Sequence, residues 1–459
     1  TSYQTFEILG SPAAVSIILA TSVFSVAPAV LIIPYDGSEA YQLSLLAAPL
    51  GSYLNIPILI FDYNEVEIQT VCTQLQTTRA YLVGDVTLNL ENMSVIPLQT
   101  EAEITDTVLT VIKEQFGSLS YLTMTNPSDV VPPSVINTTD ILFTDHIVNK
   151  KIIILGKEFD IVGNDTRNYT IYVPDGITRV QISGEIFQTH GFFLGRFSPI
   201  VPLLFMTLTD AKGQIVAYAN SMGYDIGKTY VETLSCNASG FYTLHLKVYN
   251  GIKGGFFVQR GFSSVDANIT IIATLSTLSS PHLPFVPKLS SLSPYLAAGH
   301  GGLIIANASW ELTDDFYASA AEGSGAGPWY NESLHHFTNT KVNRTVQQLK
   351  NTLERLDAHG LLSGYLNGST WLALLADTTM IPMYYYGPSQ EDIPDRGLPS
   401  DNPYTLNQSL SVGRLIGWDV QDVSVLIART FFYENLCGEP VGQDDWHHRF
   451  HFVFGEGYS

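Results

Sequence analysis

The chain has 459 residues, 45% of them hydrophobic and 14% charged, with 43 Asp and Glu against 22 Lys and Arg for a formal charge of −21. Typical soluble domains carry roughly 25% charged residues, so this surface must be solvated by hydroxyls, amides or sugars. No cluster of Lys and Arg is present, which excludes a phosphate-binding face and with it nucleic acid as a partner.

The first 150 residues alternate helices with buried strands. Ser11-Pro12 opens a helix to about Phe24, Ala29–Ile33 is a strand, and Ser38–Leu54 is an amphipathic helix with Leu43, Leu46, Ala47 and Leu50 on one face. Strands at Ile56–Phe61, Ala80–Gly84 and Leu119–Thr125 enclose helices at Val66–Leu75 and Glu101–Phe116. This order predicts a parallel sheet with helices on its faces. The apolar stretch Ala13–Ile33 is broken by Ser22, Ser25 and Pro28, so a helix followed by a strand is expected and not a membrane span. No charged segment precedes an apolar core at the start, and Thr1 reads as a mature terminus with its signal removed.

The segment Ala47-Ala48-Pro49-Leu50-Gly51, leading to Ile56-Pro57-Ile58-Leu59-Ile60 and then to Ala80-Tyr81-Leu82-Val83-Gly84-Asp85, resembles the type 2 cell-wall-binding repeat. That resemblance implies an α/β fold and surface anchoring, with cell-wall or surface glycans as partners. The family's repeats bind anionic wall polymers in groups of several, whereas one copy is evident here.

From about Lys151 the period changes to two. Thr170–Pro174, Arg179–Gly184, Leu203–Leu208 and Phe241–Tyr249 alternate, separated by turns such as Pro174-Asp175-Gly176 and Asp210-Ala211-Lys212-Gly213. A β-sandwich of about 130 residues is expected over 151–280. Met206–Gly213 followed by Ala238–Leu244 is similar to sandwich domains appended to secreted peptidases, which implies a spacer or adhesion module. Thr277–Pro294, rich in Ser and Pro, reads as a linker or sandwich exit.

Over 281–459 the α/β character returns. A strand is expected at Gly302–Ala306 and a helix over Lys341–Ala358, with Val342, Val346, Leu349, Leu353 and Leu356 on one face. A strand at Trp371–Ala376, a helix at Gln421–Tyr433 and a strand at Phe450–Phe454 follow. Here Ala376-Asp377 near Ile381-Pro382, then Ser400-Asp401-Asn402-Pro403-Tyr404, Gly413-Arg414 and Tyr433-Glu434 are similar to the gingipain-type, caspase-like cysteine peptidases. The resemblance implies that the catalytic His and Cys lie on strands after Phe450–Phe454, beyond Ser459. No catalytic residue is therefore assigned within these residues.

Asn-x-Ser/Thr acceptors are the strongest single signal. Eleven of 22 asparagines qualify: Asn92, Asn137, Asn164, Asn168, Asn237, Asn268, Asn307, Asn331, Asn343, Asn367 and Asn407. About four would arise by chance in a chain this rich in Ser and Thr. Attached sugars need solvent, so this density implies export and a large permanently exposed surface.

Other candidate chemistry is weaker. Gly299-His300-Gly301-Gly302 looks like a His-Gly motif but precedes the Ser-Asp-x-x-Tyr element, and a glycine-rich turn before a strand accounts for it. Cys437 follows a helix C-terminus, where the dipole disfavours a thiolate. His447 and His451 share a strand face beside Arg449, with His448 opposite, which is a poor zinc set. Asp377, Asp401 and Asn402 supply oxygens for a structural calcium. The Gly323–Pro328 loop lacks the lysine of a phosphate loop. Three cysteines, Cys72, Cys236 and Cys437, form no framework; one bridge or three buried thiols are both open.

These readings describe α/β domains flanking a β-sandwich, similar to archaeal-type surface-layer proteins. The expected role is a non-catalytic, N-glycosylated extracellular protein that self-associates into a surface layer, sheath or filament. A secreted gingipain-type peptidase and a glycan-binding adhesin are the alternatives.

Overall fold

The computed structural model describes residues 9–35, 38–131, 133–154, 157–163, 166–190, 201–213, 215–220, 228–236, 239–251, 260–279, 284–312, 332–358, 360, 370–387 and 398–432. The expected class is what it contains: two parallel α/β sheets and an antiparallel β-sandwich.

The first sheet has strands β1 (Ala29–Pro34), β2 (Ile58–Phe61), β3 (Arg79–Val83) and β4 (Ser94–Leu98), in the order β2-β1-β3-β4 and all parallel. The stretch Ala13–Ile33 divides into helix α1 (Pro12–Val23) and the central strand β1. Ser11 caps α1 by accepting from the Ala14 N–H, and Pro12 occupies its first turn, where a missing N–H costs nothing. Among the described residues no helix is long and apolar enough to cross a membrane.

The helix expected over Ser38–Leu54 is two helices, α2 (Ser38–Ala47) and α3 (Pro49–Tyr53). Pro49 has no N–H to continue the α2 ladder, so the ladder stops with the Ala48 N–H bonding Ser44 O. Helix α4 (Glu65–Gln74) leads into β3. Strand β4, absent from the sequence reading, carries Pro97 and sits at the sheet edge, where a lost donor is tolerated. Helix α5 (Glu101–Phe116) starts with a capping box. Thr100 Oγ1 accepts from the Glu103 N–H, and the Glu103 carboxylate accepts from the N–H groups of Thr100 and Gln99.

Strand β5 (Tyr121–Thr125) was grouped by sequence with the first 150 residues, yet it pairs with none of β1 to β4. It is an inner strand of the second sheet, between β15 (Leu303–Ala306) and β16 (Thr370–Leu375), with β19 (Leu410–Arg414) beyond; all four are parallel. The sandwich is thus an excursion between β5 and β15. It begins at Val135, well before Lys151, because β6 (Val135–Ile154) runs for 20 residues against β14 (Arg260–Leu278).

One sandwich sheet has the order β12-β9-β14-β6-β7, adding β7 (Lys157–Gly163), β9 (Ile177–His190) and β12 (Lys228–Cys236). The other is β11-β10-β13-β8, from β8 (Thr166–Val173), β10 (Val201–Thr209), β11 (Ile215–Asn220) and β13 (Gly240–Gly251). Alternation delivers one residue in two to the space between them. Ile171, Val180, Ile182, Leu204, Met206, Leu244, Ile269 and Ile271 lie there without solvent contact.

The two parallel sheets share a single core. Leu31 and Val83 from the first, Leu122, Met124 and Leu374 from the second, and Leu50, Ile104 and Ile112 from helices belong to one buried cluster. Helix α6 (Ser293–Gly299) precedes β15, and α7 (Glu332–Ala358) begins nine residues before the expected Lys341. Its Val342, Leu349, Leu353 and Leu356 join that cluster, as their spacing requires. A short pair, β17 (Tyr384–Tyr386) with β18 (Leu398–Ser400), precedes β19, and α8 (Val420–Phe431) follows it. The described parts of the expected linker, 277–279 and 284–294, are packed structure: Thr277 and Leu278 end β14, and Val286, Leu289, Ser290 and Ser293 are all buried.

Candidate functional site

Open parallel sheets present their functional surfaces at the carboxyl ends of the strands. The two sheets treat those ends in opposite ways.

At the end of β16, the Asp377 carboxylate is 1% exposed and fully engaged. It accepts from Val286 N–H (3.0 Å), Thr379 N–H (2.8 Å), Thr379 Oγ1–H (2.6 Å) and Met380 N–H (3.2 Å). Beyond the end of β5, Asp129 accepts from the Ser290 N–H at 2.7 Å and from the Ser290 hydroxyl. That hydroxyl is bonded in turn to Tyr41 on α2, at 2.9 Å. Burial pushes the Asp129 carboxyl up to about 6; the two Ser290 bonds restrain the rise, and the Asp377 charge adds to it.

The Ser-Asp-x-x-Tyr and Gly-Arg elements close the same end. Arg414 forks onto Asp401, with Nε donating at 2.9 Å and Nη2 at 2.6 Å, while Nη1 donates to Ala376 O at 2.8 Å. Tyr404, fully buried, donates its hydroxyl to Pro382 O at 2.7 Å. Three of the four elements read from the sequence therefore build one lock across the strand ends; the fourth, Tyr433-Glu434, lies outside the described residues. Arg414 thus joins the Asp401 carboxylate to the main-chain oxygens of Ala376 and Asp377, the latter at 3.4 Å, while the Asp377 carboxylate is held by the N–H and hydroxyl groups of Val286, Thr379 and Met380. Asn402 opens a short 3₁₀ turn, its N–H bonded to Ser400 Oγ. Among the described residues no set of three or more His, Cys, Asp or Glu is placed to hold a metal ion.

His300 lies at the C-terminal end of α6, stacked on Tyr121 at 4.3 Å and bonded through Nε2 to Thr430 Oγ1 at 3.1 Å. Burial lowers its pKa. The adjacent Gly302 is required by packing, since a Cβ there would stand 2.7 Å from Tyr121 O. Cys72 is a free, buried thiol on α4, pushed up to about 11 by burial, which makes it inert. Cys437, His447, His448, His451, the 323–328 loop and Phe450–Phe454 lie outside the described residues.

Seven acceptor asparagines are described. Asn92, Asn137, Asn168, Asn268, Asn343 and Asn407 are exposed, and Asn307 is half-buried with its Oδ1 capping a 3₁₀ turn at Ser309 N–H. Asn168 and Asn268 stand on the outer faces of the two sandwich sheets, each opposite a cross-strand histidine: His245 at 2.9 Å and His146 at 2.8 Å. In both pairs the asparagine atom engaged is Oδ1, whereas a glycan attaches to Nδ2. Asn164, Asn237, Asn331 and Asn367 lie outside the described residues.

The end of the first sheet is open. With the order β2-β1-β3-β4, β1 leads to β2 on one side and β3 to β4 on the other, so the connections diverge between β1 and β3, and a crevice of about 470 Å³ lies at the strand ends there. Pro34 at the end of β1 with Tyr35 after it, Phe61 and Tyr63 at β2, Gly84 after β3 and Leu43 of α2 form its walls. Gly84 has φ +65°, a conformation that favours glycine. Tyr63 adopts φ +55° without being glycine, at a cost of roughly 1 kcal/mol. Its ring is 89% exposed and lies 5.7 Å from Phe61. Glu39, Asp62 and Asp85 lie on the same crevice with Gln99. Among the described residues their side-chain oxygens receive no hydrogen bond and no cation. The sequence reading missed this crevice; Tyr35 and Tyr63, each next to a strand end and an acidic residue, were the available signal.

A second space, of about 740 Å³, separates the outer face of the β9–β14 sheet from Trp418, but its charged groups, Lys228 and Glu185, already pair at 3.0 Å.

No protein-family model matches the chain, and no curated protein matches it. Solved structures of VP2 from infectious bursal disease virus do match, at 11% identity. The VP2 subviral particle has a TM-score of 0.18 and covers 32% of this chain and 39% of its own; the Gx strain structure has 0.19, covering 31% and 38%. At these scores the likeness carries no argument about fold or role.

Proposed function

We propose that the chain is a non-catalytic, N-glycosylated extracellular protein that self-associates as an element of a surface layer, sheath or filament. The observation that carries this reading is the placement of the acceptor asparagines. Six of the seven described are exposed, and both broad faces of the sandwich present one. A glycan on each face would solvate charge-poor strands and keep sandwiches from stacking face to face, leaving the α/β body to make the contacts. The carboxylates at the end of the second sheet support the same reading, because Asp377 and Asp401 serve to fasten segments together.

Intact mass and glycopeptide mapping of native material test it. Sugar at Asn92, Asn137, Asn168, Asn268, Asn343 and Asn407, with Asn307 the least occupied, is the expected result. Bare asparagines in a protein that stays monomeric at high concentration would sink the reading.

One observation favours a peptidase instead: three of the four gingipain-like elements assemble around the end of β16. The gene beyond Ser459 decides this. A His-Gly on a following strand and a Cys on the next one would support the enzyme.

A further inference from the structure

We propose that the crevice at the carboxyl ends of β1, β2 and β3 binds a saccharide that is uncharged or carries amino groups. This goes beyond the architectural reading and does not depend on it.

Three observations converge. The crevice stands where an open parallel sheet with this strand order leaves room for a ligand, and its volume of about 470 Å³ suits one or two sugar rings. Its walls offer aromatic faces to solvent: Tyr63 is 89% exposed and Tyr35 is 49% exposed. Pyranose rings present C–H faces that stack on such rings, and the hydroxyls around their edges donate hydrogen bonds. Glu39, Asp62, Asp85 and Gln99 supply acceptors for those donors, and none is engaged by a side chain or N–H among the described residues.

Charge sets the class. Among the described residues the lining contains three carboxylates and neither Lys nor Arg, so phosphate- or uronate-bearing polymers are repelled. A nucleotide is disfavoured for the same reason. An ammonium group on a sugar would be drawn in. The ligand expected here therefore differs in charge from the anionic wall polymers that the sequence resemblance implied.

The test is isothermal titration and saturation-transfer NMR on the full chain, with four probes: glucose oligomers, glucosamine oligomers, galacturonate oligomers and a Lys/Arg-rich peptide. Glucose or glucosamine oligomers should bind, and galacturonate should not. Tyr63→Gly removes the ring while giving the backbone a residue at ease with positive φ, so the fold is kept. It should weaken binding roughly tenfold or more. Asp85→Asn should reduce the preference for glucosamine over glucose. Binding that survives Tyr63→Gly in a protein of unchanged melting point overturns the proposal. Equal binding of galacturonate, binding of the basic peptide alone, or no saccharide binding tighter than about 10 mM overturns it too.

Discussion

The carboxyl ends of the two parallel sheets are built from similar residue types and end in opposite states. At the second sheet, Asp129, Asp377 and Asp401 are buried or nearly so, and donors from three segments meet them: Val286 and Ser290, Thr379, and Arg414. At the first, Glu39, Asp62 and Asp85 face a crevice with aromatic walls. A carboxylate that is buried must be satisfied from within the protein, and the chain spends Arg414 and several N–H groups to do so. A carboxylate left in a solvent-filled crevice meets no such demand and stays available to a ligand. Residue type alone does not separate a lock from a site; the partners do.

The largest effect expected is from breaking the lock. Arg414→Ala leaves Asp401 without its partner and Ala376 O uncapped, and should cost about 3 kcal/mol in chemical unfolding. Mutating the crevice's Asp85 to Asn should leave stability nearly unchanged. If Arg414→Ala were equally silent, the distinction between the two ends would fail.

The second effect is a pH dependence. Asp129 titrates near 6 when folded, above the ordinary value for an aspartate. Its contribution to stability is full below its unfolded pKa and is lost as pH rises through about 6. Between pH 4 and pH 7 the wild type should lose about 2 kcal/mol relative to Asp129→Asn. Parallel urea titrations of the two proteins measure this, and a constant difference across that range would refute it.

Smaller still is Tyr404→Phe, which strips the donor from Pro382 O inside the lock. About 1 kcal/mol is expected, read from the same unfolding curves. Smallest is Tyr63→Gly, where relief of the positive φ offsets the added chain entropy. A change under about 1 kcal/mol is expected, and a larger loss would mean that the ring is structural.

Much of the fold was legible along the chain. Ser11-Pro12 marks the start of α1, Thr100 with Glu103 marks that of α5, and alternation marks the sandwich strands, since caps and periodicity are local properties. The break before Pro49 was legible too, but the amphipathic pattern across it was read as one helix. The site was less visible. The crevice joins residues from Pro34 to Gln99 that share no motif, and the 284–294 segment looked like a linker because its serines are buried by partners distant in sequence. His300 and its glycines, set aside in the sequence as a turn before a strand, serve the packing of α6 against Tyr121 and Phe431.

By itself the sequence determined the element types, the parallel and antiparallel characters of its regions, and the acceptor asparagines, because each depends on near neighbours in the chain. Tertiary structure decided that β5 crosses to the second sheet, that both parallel sheets share one core, and which carboxylates are locked and which are open. Those outcomes depend on contacts between residues up to about 250 positions apart, such as Thr125 with Leu375. No local pattern encodes which partner a buried oxygen will find.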